Sequence, residues 1–231
     1  MNKILGVLGG MGPLATAEFM KKVITLTPAK TDQEHIPMLI RNIPQVPDRT
    51  TFIMTGENDP FEQLKNGFQE LTVAGASCIV IPCNTAHFWY RRLTQDSNIH
   101  TISIIDSVVN KICDIGYKNI AVLATNATIK AQLYQEALEA KGIHVLIPDE
   151  EQQTSVMNGI NEVKSGNIEN GTKLIEPIFN AMILQKADAV ILGCTEIPIA
   201  LAQLEKDMPN QCLDSLDILA QQCVNWAKEY V

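Results

Sequence analysis

No stretch of this chain stays apolar for the roughly 18–20 residues that a bilayer-spanning helix needs, so a transmembrane anchor is not expected. A leader is not expected either. Met1-Asn2-Lys3-Ile4-Leu5-Gly6-Val7-Leu8-Gly9 runs straight into glycines without a small-residue cleavage site and reads as a first strand. Basic charge is scarce: 18 Lys and Arg against 26 Asp and Glu leave a net charge of −8. That balance argues against a nucleic-acid backbone as partner, since phosphate binding needs a basic stripe. The six cysteines contain no CxxC pair and no metal-type spacing, so neither a disulfide framework nor a metal centre is expected. These absences leave a cytoplasmic protein acting on a small molecule, with no membrane and no nucleic acid among its partners.

The 231 residues, 46% of them apolar, are enough for one large domain or two small ones with genuine cores. Short apolar runs alternate with helical patterns. Strands are expected at 3–8, 36–40, 79–83, 101–105, 119–124, 144–147 and 189–194. Helices are expected over 14–26, 59–74, 108–115, 129–141, 153–163, 171–186 and 213–230. Pro44 and Pro47 keep 42–50 a loop. Such alternation predicts parallel sheets covered by helices, an α/β fold. Leu8 echoes Leu123 and Cys83 echoes Cys194 at similar offsets, which suggests an internal duplication. In open α/β sheets ligands collect at the carboxyl ends of strands. Met11, Asp48, Arg49, Thr50, Cys83, Thr125, Cys194, Thr195 and Glu196 all fall at such ends, and facing halves would gather them in one cleft.

Two cysteines stand apart. Ile79-Val80-Ile81-Pro82-Cys83-Asn84-Thr85-Ala86-His87 and Ala189-Val190-Ile191-Leu192-Gly193-Cys194-Thr195-Glu196 each end an apolar run on a thiol and then open a helix-like segment. A helix N-terminus favours a thiolate, which predicts a lowered pKa for both sulfurs. One thiolate with His87 as partner would suit covalent catalysis. His87 lies four residues into the following helix, however, and reads better as structural. Two thiols on opposite faces of one carbon suit proton abstraction by one and proton return by the other, which inverts a stereocentre.

Arg49, after two prolines, could present its planar fork to a carboxylate. Lys164 closes a helix in the second half and is not distinguished by its local sequence. Gly10-Met11-Gly12-Pro13-Leu14-Ala15 satisfies a dinucleotide-type GxGxxA pattern after a strand. No acidic residue ends the second strand and no Walker lysine follows, so close approach of backbone to a small ligand is the better reading.

These segments together resemble the aspartate/glutamate racemase family, in its pyridoxal-phosphate-independent aspartate racemase branch. The match rests on Gly9-Gly10-Met11-Gly12-Pro13, Pro47-Asp48-Arg49-Thr50, Pro82-Cys83-Asn84-Thr85-Ala86-His87, Val163-Lys164 and Gly193-Cys194-Thr195-Glu196, in the expected order along the chain. Related glutamate racemases typically carry a histidine after the second Cys-Thr and an Asp-Ser-Gly in the first loop, where this chain has Glu196 and Gly9-Gly10-Met11.

The resemblance implies two pseudo-symmetric parallel-sheet α/β domains with the active site in the cleft between them. Residues 1–98 plus 207–231 would form the first and 99–206 the second, with the last helix packing back on the first. It implies interconversion of L- and D-aspartate, and of glutamate in a relaxed form, without cofactor. Cys83 and Cys194 would be the acid/base pair; Asn84, Thr85, Ala86 and Arg49 would hold one carboxylate, and Lys164 the side-chain carboxylate. A homodimer is implied as well. Two alternatives stay open: a two-cysteine relative of the maleate isomerase or malonate decarboxylase type, and a dicarboxylate-binding protein without turnover.

Overall fold

The computed structural model describes residues 3–228. Two compact units are present: 3–107 together with 216–228, and 108–215.

In the first unit β1 (Leu5–Gly9) pairs in parallel with β2 (Met38–Asn42) and with β3 (Cys78–Val80), and β3 pairs with β4 (His100–Ile102). The strand order is β2-β1-β3-β4. In the second, β5 (Asn119–Ala124) pairs with β6 (His144–Leu146) and β7 (Ala189–Gly193), and β7 with β8 (Cys212–Asp214), giving β6-β5-β7-β8. The two orders are the same, so the duplication read from Leu8/Leu123 and Cys83/Cys194 extends to topology. The central strands β1, β3 and β7 are wholly buried, and β5 is buried apart from its first residue. Continuous apolar runs are what a strand covered on both faces requires. The flanking strands β2, β4 and β6 carry exposed residues, as sheet edges do.

Helix α1 (Pro13–Leu26) starts with proline at its first position, where the missing N–H costs nothing. α2 (Arg49–Thr55) was expected to be loop. It forms because Asp48 caps it, Oδ1 accepting from the Thr51 amide at 2.7 Å, and Gly56 ends it in the left-handed conformation. α3 (Phe61–Val73) buries Leu64, Phe68 and Leu71 against β1 and the Cys83 segment. After Cys83 the chain makes a 3-10 helix (Thr85–Trp89) before α4 (Tyr90–Thr94), and α5 (Ile104–Ile115) follows β4.

The single helix expected over 129–141 is two: α6 (Asn126–Lys130) and α7 (Gln135–Glu139), separated where Gln132 takes a positive φ of 52°. α8 (Glu150–Lys164) starts on an Asp149/Gln152 capping box and ends on Lys164. α9 (Ile168–Leu184), α10 (Glu196–Ala200), α11 (Ala202–Asp207) and α12 (Ser215–Lys228) complete the chain. Residues 212–214, expected next to or within the last helix, are strand β8. α8 and α9 pack closely because Gly171 faces α8: a Cβ there would stand 2.4 Å from Val163 Cγ2. Among the described residues no helix is long and apolar enough to cross a membrane.

Candidate active site

In each unit the order of connections reverses beside the first strand: β1 leads outward to β2 and then back to β3, and β5 leads to β6 and back to β7. Carboxyl ends at such a reversal are where α/β sheets bind ligands. Cys83 and Cys194 both occur there. The β5–β7 register sets Ala124 beside Gly193, one residue before Cys194. Continuing the β1–β3 register two residues beyond Val7/Val80 sets Gly9 level with Pro82, one residue before Cys83. The first ladder stops sooner because Pro82 has no N–H to give it. The two thiols therefore hold equivalent places in two equivalent sheets.

Around Cys83, Met11, Val46 and Ala86 belong to one buried cluster with the cysteine. The glycine loop, the proline loop and the cysteine segment of the first unit are thus brought together. Gly10 has φ +98°, and a Cβ on it would lie 2.3 Å from the backbone of Ile43, whose amide donates to Gly9 O at 3.1 Å. Gly9 is equally closed, by Thr16, whose Oγ1 accepts from the Gly10 amide at 2.9 Å. Gly10 is thus required by the chain's own backbone and Gly9 by the Thr16 side chain. Gly12 alone in this loop faces open space.

Arg49, the first residue of α2, donates from Nη1 to Val46 O at 3.2 Å and Pro47 O at 3.1 Å. Its Nε is buried without a partner, a cationic donor held and unspent. Asp48 is engaged as the cap of α2 and also accepts from Thr51 Oγ1 at 3.1 Å, while Thr50 is half-buried on the same turn. Asn84, Thr85 and Ala86 are all buried directly beyond the sulfur.

His87 is settled by its partners. Nδ1 lies 2.9 Å from Cys83 O, and Nε2 accepts from the Ile104 amide at 3.0 Å. Burial holds its pKa down at about 4, so the ring is neutral. Both nitrogens face backbone, which excludes the nucleophile-activating role considered for it.

Around Cys194 the second unit assembles a different environment. Sγ donates to Glu196 Oε2 at 2.9 Å, and the same oxygen accepts from Thr195 Oγ1 at 3.0 Å. Burial pushes the Cys194 thiol well above its ordinary value; the Glu196 carboxylate pushes it further, and Lys164 pulls it partly back. The lowered pKa expected from a helix N-terminus is overturned here. α10 is only five residues long, and desolvation with an adjacent negative charge outweighs its dipole. Lys164, exposed at the end of α8, follows Val163, which packs in the same cluster as Cys194. Thr125 caps α6, accepting from the Thr128 amide at 3.2 Å, one residue past the Ala124 that pairs with Gly193.

One further residue escaped the sequence. Gln153 on α8 donates from Nε2 to Ala124 O at 3.0 Å and Asn126 Oδ1 at 2.8 Å, pinning α8 over the carboxyl end of β5. No local pattern marks a glutamine in the first turns of a helix for that task. Among the described residues no group of His, Cys, Asp and Glu is arranged to hold a metal.

The chain matches the family model described as Asp/Glu/Hydantoin racemase over residues 8–223. It is 30% identical over 229 residues to the broad-specificity amino-acid racemase of Bacillus subtilis, covering 96% of this chain and 97% of that one. Its structure resembles the aspartate racemase of Picrophilus torridus with a TM-score of 0.88 and 33% identity, covering 97% and 94% of the two chains. An aspartate racemase homologue from Pyrococcus horikoshii gives 0.80 and 29%, covering 99% of this chain and all of that one. With two like-ordered sheets, a thiol at the same place in each, and a match running almost end to end, the chain belongs to the Asp/Glu/hydantoin racemase family of isomerases.

Proposed function

We propose that this protein is a cofactor-independent amino-acid racemase that interconverts the enantiomers of aspartate through Cys83 and Cys194. The observation that carries the reading is the equivalence of the two thiols, each one residue past the level of Gly9/Pro82 or Ala124/Gly193 in matching sheets. A two-base racemase needs an acid/base group on each face of the α-carbon, because forward and reverse reactions differ only in which face loses the proton; two thiols in equivalent places suit that need. The mechanism requires both thiols to act on one α-carbon. A thiolate takes the α-proton, its S–H bond forming as the Cα–H bond breaks. The other thiol returns its proton to the opposite face and is left as thiolate. Each turnover therefore exchanges the two protonation states.

Cys194 enters this cycle protonated. Its buried sulfur beside the Glu196 carboxylate is a thiol at neutral pH and so is the acid of the resting enzyme. Arg49, with its partnerless Nε, supports capture of one substrate carboxylate together with Asn84, Thr85 and Ala86. The exposed Lys164 ammonium beside the Cys194 cluster supports capture of the second, which favours a dicarboxylic amino acid. The likeness to a broad-specificity racemase favours some turnover of other amino acids. The fitting experiment is incubation of each enantiomer of aspartate, glutamate and alanine in heavy water. Deuterium entering the α-position of D- and L-aspartate together with loss of optical rotation is the expected result. Binding of aspartate with no α-exchange from either enantiomer overturns the reading.

A further inference from the structure

His87 performs two backbone tasks at once. In an α-helix the amide of residue i+4 would bond to the carbonyl of residue i. After Cys83 the turn is 3-10 instead: the His87 amide bonds to Asn84 O at 3.0 Å, which leaves Cys83 O without its helical donor. The His87 side chain supplies that donor from Nδ1, at 2.9 Å. The opposite edge of the ring meets the first residue of α5, Ile104, whose amide is one of the donors that a helix start leaves without an intrahelical acceptor. Nε2 accepts it at 3.0 Å, while Ser103 Oγ serves the Asp106 amide at 3.1 Å.

A carbonyl can only accept and an amide can only donate. The two contacts therefore fix one tautomer, proton on Nδ1 and lone pair on Nε2. The ring is stacked on Tyr90, with centroids 4.9 Å apart and planes 12° apart, and Tyr90 Oη donates to Thr101 Oγ1 at 2.8 Å. The imidazole is thus held on its face and on both nitrogens.

We propose that His87 is the positioning residue for Cys83: the bond from Nδ1 to the Cys83 carbonyl fixes the cysteine's peptide, and through it the direction of the sulfur. Its kinetic consequence rests on the racemase reading above; its structural consequence does not. A reacting group misplaced by about 1 Å can cost on the order of 100-fold in rate. The clamp therefore shows in kcat more than in KM.

Two variants separate the two nitrogens. The amide nitrogen of Asn in His87→Asn can occupy the place of Nδ1 and keep the bond to Cys83 O while losing Ile104. The amide oxygen of Gln in His87→Gln can occupy the place of Nε2 and keep the Ile104 bond while losing Cys83 O. Each frees one buried backbone group, so both should lower Tm to a similar extent. His87→Gln should lower kcat by roughly tenfold or more, leave KM within about twofold, and change the rate at which iodoacetamide labels Cys83, with labelling of Cys194 unchanged as internal control. His87→Asn should keep kcat and Cys83 labelling near wild type.

Equal losses in the two variants, or unchanged Cys83 labelling in His87→Gln, would make His87 a core residue only. Should neither variant fold, long-range 1H–15N spectra of the wild type decide: a His87 proton on Nδ1 supports the clamp and one on Nε2 overturns it. If the wild type racemises nothing, the labelling and spectral results still stand or fall independently of the function.

Discussion

Replacing Glu196 by glutamine keeps the shape beside Cys194 and removes the charge. The thiol and the carboxylate oxygen are 2.9 Å apart. Two unit charges about 4 Å apart, allowing for delocalisation over the carboxylate, interact by about 4 kcal/mol at an effective dielectric near 20. The Lys164 ammonium already cancels part of it. Glu196→Gln should therefore lower the Cys194 titration while leaving the contribution of burial in place.

The assay is ultraviolet thiolate absorbance against pH, for wild type and Glu196→Gln, each minus its own Cys194→Ser counterpart. Kinetics give a second view. The equilibrium constant of a racemisation is one, so kcat/KM must stay equal for the two enantiomers in every variant. The change must then appear as a downward move of the alkaline limb in both directions, where Cys194 has to be protonated. A Cys194 titration that stays where it was, or rises, refutes the electrostatic account of this site.

Cys83→Ser and Cys194→Ser should each lower racemisation by about 10²–10⁴-fold; in heavy water each should exchange the α-proton of at most one enantiomer, read by mass spectrometry. Arg49→Lys should raise KM for aspartate about tenfold or more, because an ammonium cannot present a fork from the Nε position, while kcat changes less. Gly10→Ala should cost about 2–5 kcal/mol, read by calorimetry, since its φ is +98° and the added carbon meets the Ile43 backbone at 2.3 Å. His87, held at about pKa 4 against an ordinary 6.5, contributes stability that is whole above about pH 6.5 and lost as pH falls toward 4; the loss is at most about 3 kcal/mol and should be missing from the urea-denaturation pH profile of His87→Asn.

Much of this was legible residue by residue. The run expected as a strand over 79–83 is β3, Cys78–Val80: the strand was legible because both of its faces are covered, but its early end before Pro82, which has no N–H for the ladder, was not. α8 ended on Lys164 as its pattern indicated. α2 was not legible: its start depends on an Asp48 cap in a stretch where two prolines signal loop, and the cap is worth little until the chain has turned. The break between α6 and α7 left no glycine or proline to announce it. Gln153 and His87 act on backbone groups that are 29 and 17 residues away, at Ala124 and Ile104. No spacing rule reaches that far.

Alternation of apolar runs with helical faces is a local property, so the sequence alone determined the parallel α/β fold, the internal duplication and the two strand ends that carry thiols. The ionisation of Cys194 and the tautomer of His87 were decided only by the tertiary structure. Both depend on how thoroughly water is excluded and on which backbone or carboxylate oxygen lies within 3 Å. Those quantities have no counterpart in a linear chain, and at Cys194 they reversed what the helix-start pattern by itself predicts.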